Sequence, residues 1–205
     1  IFYKAFAKVD LYLEANGGHV SVLRAGSEDF AQGKVGFRGQ LTPKLVGKFD
    51  VGGEHRTITA NGQSTDQGNP IFGGSLTQTF TDDLVGSVRA NREVSTSISS
   101  VGQTITTSTA GFNLQYQFGP TLNAGKRRLA LGLDYSYANS DFRISTTAGT
   151  PAQNIDIHTV APSLEYRIQE YWKVYLVYRY QDLDSNLLGS DYQNSRVSLG
   201  TSVLF

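Results

Sequence analysis

The sequence predicts an all-β chain, a single antiparallel up-and-down transmembrane β-barrel. Apolar and polar residues alternate along much of the chain, which is the spacing of a strand with two unlike faces. Gly, Thr, Ser, Tyr and Val dominate, and no segment has the 3.6-residue period of an amphipathic helix. Long and short connections between the predicted strands alternate, as expected when long loops lie at one end of a barrel and tight turns at the other.

The clearest alternation lies at residues 172–180. Trp172, Val174, Leu176, Tyr178 and Tyr180 form one face, and the residues between them include lysine and arginine. The same pattern recurs at 110–118, 129–137 and 197–205. These four segments therefore predict strands with one apolar and one polar face.

The whole chain divides into about ten such strands, and eight or twelve are alternatives because the early segments are less regular. The predicted strands span residues 5–15, 34–42, 45–56, 70–81, 84–95, 105–118, 128–139, 155–168, 171–183 and 194–205. Tight turns are expected at Thr42-Pro43-Lys44, Asp82-Asp83 and Gln169-Glu170, and long polar loops at 16–33, 57–69, 96–104, 140–154 and 184–193. No linker interrupts the pattern, so residues 1–205 are expected to form one domain.

Composition excludes several classes of protein. The 205 residues carry zero formal net charge, which argues against a nucleic-acid partner, and no cysteine, which excludes disulfides and thiolate sites. No apolar run is long enough for a membrane helix. The chain has no methionine, even at position 1, as expected after removal of a signal peptide.

Alternation alone also fits a soluble barrel or sandwich whose apolar face turns inward. Two features favour lipid outside the barrel. The other face mixes charges with Gly, Ser, Thr and Asn, which would make a poor dry core. Aromatic residues are also expected to form two girdles at the membrane interfaces. The predicted girdles comprise Phe118, Trp172 and Phe205 at the short-turn end, and Tyr135, Tyr137, Tyr178 and Tyr180 at the long-loop end.

Residues 194–205 alternate apolar and polar positions and end in Phe205. They resemble the terminal strand of Gram-negative outer-membrane barrels. That resemblance implies recognition by the barrel assembly machinery and a place in the bacterial outer membrane. Ten strands would put both termini in the periplasm. Ser27–Phe30 and Lys34–Gly39 are similar to the opening hairpins of general porins, in the opposite order, which implies the porin-like superfamily only.

The polar face carries a candidate network of charged side chains. Near the middle of the strands these residues are Asp10, Arg38, Asp50, Arg89 and Asp134. The first three would be neighbours on adjacent strands with alternating sign, so we expect them to pair. Charges of both signs also occur toward the strand ends, so no strong ion selectivity is expected.

The favoured function is non-enzymatic. The barrel would anchor or support an envelope or surface assembly, with its lumen largely plugged by the charged network. Protein partners are expected at the loops or on the periplasmic side, and outer-membrane lipid around the barrel. The alternative is a narrow, weakly selective porin-like channel for small solutes.

One candidate catalytic set lies at the long-loop rim. Asp156 and His158 begin one predicted strand, and Asp182 and Asp184 end the next. This set resembles the catalytic residues of omptin proteases, which implies a base at His158, an orienting Asp156, and two aspartates holding water. The motif order is reversed, however, and both strands are neighbours, so solvated rim residues are the favoured interpretation. No cofactor and no metal site are predicted.

Overall fold

A computed structural model describes residues 2–6, 8–22, 26–60, 62–96, 103–121, 127–144, 153–187 and 189–203. The described residues form strands and turns. The strands are β1 (Phe2–Phe6), β2 (Val9–Val22), β3 (Gly26–Thr42), β4 (Leu45–Ala60), β5 (Gln63–Thr81), β6 (Leu84–Thr96), β7 (Gln103–Thr121), β8 (Arg127–Ile144), β9 (Gln153–Gln169), β10 (Trp172–Ser185) and β11 (Tyr192–Val203).

Every strand pairs antiparallel with its neighbours in sequence, in one sheet ordered from β1 to β11. The predicted all-β, up-and-down architecture is confirmed. The ten predicted strands correspond to β2–β11. β1 is a short addition that pairs with the first residues of β2, from Phe6↔Val9 to Phe2↔Tyr12.

The strands are longer than predicted, mostly toward the long loops. β3 begins at Gly26 instead of residue 34, and β5 begins at Gln63 instead of residue 70. Most of the predicted loop 16–33 is therefore strand. The backbone ladder continues there, but polar residues occupy both faces, so the two-residue alternation that revealed the other segments is absent.

One face of the sheet exposes a band of large apolar side chains. Leu13, Val35, Phe49 and Leu131 are each about half exposed, and Leu199 is 80% exposed. These positions alternate along every long strand and meet in register across the sheet. A continuous apolar surface of this size needs an apolar environment, as an outer-membrane barrel has in lipid. We call this the outer face.

Within the described ranges, no helix is long and apolar enough to cross a membrane.

The opposite face, here the inner face, is concave. Side chains on this face reach across an intervening strand: Arg89 on β6 bonds to Asp134 on β8, and Tyr12 on β2 bonds to Asp50 on β4. Such contacts require the sheet to curve toward that side. The face carrying the predicted charged residues is therefore the inside of the curved sheet.

Two tyrosines on the inner face lie directly opposite glycines. Tyr12 faces Gly36 across β2 and β3, and Tyr175 faces Gly200 across β10 and β11. A Cβ at Gly36 would lie 2.8 Å from Tyr12 Cζ, and a Cβ at Gly200 would fall on the Tyr175 ring. Glycine is needed at both positions because an aromatic ring covers the backbone there.

Candidate functional site on the inner face

Asp50 is the centre of a buried polar group on the β2–β5 wall. The Tyr12 hydroxyl donates a hydrogen bond of 2.7 Å to Asp50 Oδ2. Lys48 Nζ lies 3.6 Å from Oδ2, and Lys34 Nζ lies 3.9 Å from Oδ1. Gly73 leaves room for this carboxylate on the adjacent strand. One buried anion is therefore matched by a hydroxyl and two cations.

The five predicted network residues divide into separate groups. Arg38 Nε lies 3.8 Å from Asp10 Oδ2, whereas Asp50 contacts Tyr12 and the lysines. Arg89 Nη2 lies 3.1 Å from Asp134 Oδ2. Each carboxylate of the set thus has a cation or hydroxyl partner, and the groups follow the wall.

The sheet divides at its long-loop end. Pairing between β5 and β6 stops at Phe72↔Arg92, while β6 and β7 continue together to Thr96↔Thr104. Beyond that point, residues of β6 and β7 that follow the outer-face alternation contact the inner face of β3–β5. Thr104 Oγ1 donates to Gln67 Oε1 at 3.2 Å. The β6–β7 hairpin is therefore displaced toward the inside of the sheet, where it narrows the mouth.

Residues on both sides of this division are almost fully buried. On the inner face of β3–β5, Ile58 and Ile71 are each 1% exposed. On β7, Thr104 is 1% and Thr106 is 2% exposed. The two layers therefore share a small core at the long-loop end, apart from the apolar band.

Arg56 joins these two layers. Its Nε donates to Glu54 Oε1 at 2.8 Å, and its Nη1 donates to Glu28 and to Thr96 Oγ1, the latter at 2.9 Å. Its Nη2 donates to the Val94 carbonyl at 3.3 Å. We call Glu28, Glu54, Arg56, Val94 and Thr96 the Arg56 junction.

The sequence interpretation missed the Arg56 junction. Glu28 falls in a predicted loop, and Arg56 is the last residue of a predicted strand. The Phe30 ring, 5.2 Å from the guanidinium, lies in the same predicted loop. Residues 28, 30, 54 and 56 all lie on the inner face of the paired strands β3 and β4. The sequence indicates this arrangement only once β3 is known to begin at Gly26.

The β7–β11 wall differs from the β2–β6 wall. Its inner face is rich in small and uncharged side chains, and it borders a cavity of about 310 Å³. The cavity is lined by Asn113, Gln115, Ala130, Gly132, Ser163, Leu164, Glu165, Lys173, Tyr175 and Val177. A second cavity of about 420 Å³ lies beside Asp50 and Arg89. Space on the inner face is thus lined largely by polar groups.

The candidate catalytic residues lie on the other side of the sheet. Asp156, His158, Asp182 and Asp184 follow the outer-face alternation, with His158 opposite Asp182 and Asp156 opposite Asp184. His158 Nδ1 lies 3.0 Å from the Tyr135 hydroxyl.

The neighbouring Asp156 accepts hydrogen bonds from Tyr137 at 2.6 Å and Asn139 at 2.8 Å. The four residues belong to the adjacent strands β9 and β10 and line neither of the two inner cavities described above. An omptin-like role for them stays a prediction. Among the described residues, no group of three or more His, Asp or Glu side chains is arranged to hold a metal ion.

The predicted girdle residues that the structure describes all lie on the outer face. Tyr135 and Tyr137 lie on β8 at the long-loop end of its apolar stretch, and Tyr178 and Tyr180 lie on β10. Phe118 and Trp172 lie toward the short-turn end, where Trp172 Nε1 donates to Thr201 Oγ1 at 2.8 Å. Phe205 lies outside the described residues.

Comparisons with known proteins agree with this architecture. OmpTΔL8, a loop L8 deletion mutant of OmpT, an outer membrane protein of Vibrio cholerae, is similar with a TM-score of 0.52 and 16% identity. The match covers 95% of this chain and 62% of that one, so the chain spans less than two thirds of that protein. The NanC porin is similar with a TM-score of 0.50 and 12% identity, over 96% of this chain and 94% of the NanC chain. At these identities the likeness concerns the fold.

No curated protein matches the chain. Residues 14–205 match the family described as "Putative beta-barrel porin 2". That match covers almost the whole chain and agrees with the strand order, the exposed apolar band and the polar inner face. The chain belongs to this family and is a porin-like β-barrel protein of the bacterial outer membrane.

Proposed function

We propose that this protein is a narrow, non-enzymatic channel for small polar solutes. The observation that carries the proposal is the reach of the inner-face contacts. The ion pairs and hydrogen bonds named above join strands that are adjacent or two apart, as in Asp134–Arg89 and Asp50–Tyr12. A plug would need contacts between opposite walls. These charged groups instead contact neighbouring strands around the wall.

The nature of the remaining wall supports the same proposal. Asn113, Gly132 and Ser163 on β7–β9 border the 310 Å³ cavity. Small neutral side chains leave space that water can fill, and their amide and hydroxyl groups can replace part of a solute's hydration. The displaced β6–β7 hairpin would then be the constriction, held in place by the Arg56 junction.

We further propose that the tight turns at 43–44, 82–83 and 170–171 face the periplasm, with the start of β2 and the end of β11 on that side. The long-loop end, with the Arg56 junction, would face the outside. The outer face would contact lipid, and the strand that precedes Phe205 would be the one read by the barrel assembly machinery.

A plugged barrel that anchors an envelope assembly is the second candidate. The displaced β6–β7 hairpin favours it, because its buried contacts with the inner face of β3–β5 occupy part of the mouth. Partners at the loops or on the periplasmic side would then carry the function.

Single-channel recording of the refolded protein in a planar bilayer separates the two proposals. We expect stable conductance steps in the parent protein and steps of similar or slightly larger size in Arg38→Ala and Arg89→Ala. A silent parent, with conductance appearing only in the two variants, would overturn the channel proposal in favour of the plug. A shift in gel mobility between unboiled and boiled samples verifies that each protein is folded before recording.

A further inference from the structure

Two arginines lie side by side on the inner face of the last hairpin. Arg179 on β10 and Arg196 on β11 are direct partners in the strand register, and both are exposed. Directly opposite like charges destabilise an antiparallel pair. An anion held between the two guanidinium groups would relieve this repulsion.

The side chains of β9–β11, in the part of the chain that the structure describes, do not supply one. On the inner face of β9–β11, within the described ranges 153–187 and 189–203, Glu165 is the one carboxylate. It is already engaged by Arg167 at 2.9 Å and by Lys173 at 2.8 Å. Asp182 and Asp184 on the same hairpin follow the outer-face alternation.

Uncharged hydrogen-bonding groups occupy the adjacent positions of the inner face. Gln181 and Asn194 form the next register pair toward the long loops, and Ser198 lies one pair below, opposite Val177. These side chains can donate hydrogen bonds to an anion held between the arginines.

The arginine pair differs from the aspartates of the inner face, which have partners of opposite charge. Asp10, Asp50 and Asp134 each have a cation within 4 Å. These three aspartates are thus compensated locally. In the sequence, the mixture of positive and negative inner-face charges predicts no strong ion selectivity. In the structure the compensated charges lie apart from Arg179 and Arg196, so the arginine pair keeps a local positive charge.

We propose that Arg179 and Arg196 form an anion-binding step in the lumen, which gives the channel a preference for small solutes bearing a carboxylate or phosphate. A guanidinium presents two parallel N–H donors that match both groups in bidentate geometry. Two such groups on adjacent strands can share one anion. This inference rests on the channel proposed above and specifies its solute class.

The test is the reversal potential of the open channel under a KCl gradient, followed by titration with inorganic phosphate or acetate. We expect anion selectivity and a saturable reduction of the chloride current by either anion. The double variant Arg179→Gln, Arg196→Gln should lose the saturable reduction and lower the anion-to-cation permeability ratio several-fold. Arg179→Lys with Arg196→Lys should retain the ionic selectivity but bind phosphate more weakly, because the bidentate fork is lost.

Lys44→Gln is the control, since it removes an exposed cation from the tight turn between β3 and β4, away from both arginines. It should leave both readouts unchanged. A parent that conducts without anion preference, or whose preference survives the double glutamine variant, overturns the anion-binding step and leaves the channel intact. A folded but silent parent overturns the channel itself. Gel mobility verifies folding, and the single Arg179→Gln variant replaces the double variant if the latter does not fold.

Discussion

Removing Arg56 should destabilise the long-loop end of the barrel strongly. Arg56→Ala deletes the donors that hold Glu54, Glu28, Thr96 and the Val94 carbonyl. It also leaves two carboxylates that are only 3% and 6% exposed without their cation. Breaking a buried ion pair by removing one partner costs about 3–5 kcal/mol, because the remaining charge keeps its desolvation penalty.

The measurement is urea unfolding in detergent micelles, with folded and unfolded fractions read from gel mobility. Arg38→Ala is the matched control. Its side chain is 52% exposed and lies 3.8 Å from Asp10, so its loss should cost less than about 1 kcal/mol. A free energy of unfolding for Arg56→Ala that matches the control would refute the buried junction.

A further variant separates charge from packing. Arg56→Met combined with Glu28→Gln and Glu54→Gln removes all three charges while retaining similar volume. Apolar or neutral replacements of a buried ion group are often neutral in stability. We expect this triple variant to recover most of the loss seen in Arg56→Ala.

Three other outcomes are expected. Leu133→Arg, in the apolar band of the outer face, should lower the free energy of unfolding in bilayers by about 2–4 kcal/mol. Asn113→Arg, on the inner face of the adjacent strand, should lower it far less. Gly36→Val should lower the free energy of unfolding in the urea assay by about 1–3 kcal/mol, because its Cβ would lie 2.8 Å from Asp50 Cβ. Gly33→Val should be tolerated, since no atom lies within 4 Å of a Cβ there. The refolded parent and His158→Ala should both fail to cleave peptides, and cleavage by the parent that His158→Ala abolishes would restore the hydrolase interpretation.

The sequence predicts the strands best where the two faces of the sheet differ in polarity. In β7–β11, residues such as Leu131 and Leu176 alternate with small or charged ones, so the pattern identified both the strands and their outer face. Toward the long loops the alternation ends although the strands continue. The sequence pattern therefore predicts a loop where β3 extends back to Gly26.

The candidate site was predicted only in part for a related reason. Alternation identifies the face on which Arg89 and Asp134 lie, but a bond between strands two apart depends on the curvature of the sheet. The contact from Arg56 to Val94 depends on the division between β5 and β6. Neither property is encoded in a local pattern, so neither was predicted.

The two tyrosine–glycine pairs have a consequence for how the barrel assembles. They lie in the β2–β3 and β10–β11 hairpins, near the two ends of the chain. A slip of two residues keeps every side chain on its own face, so lipid alone would not reject it. Such a slip would set the Tyr12 ring opposite Lys34 or Arg38, and would leave Gly36 uncovered. Each pair thus acts as a steric check on register, which distinguishes the correct alignment from the nearest one of equal hydrophobicity while the first and last hairpins form.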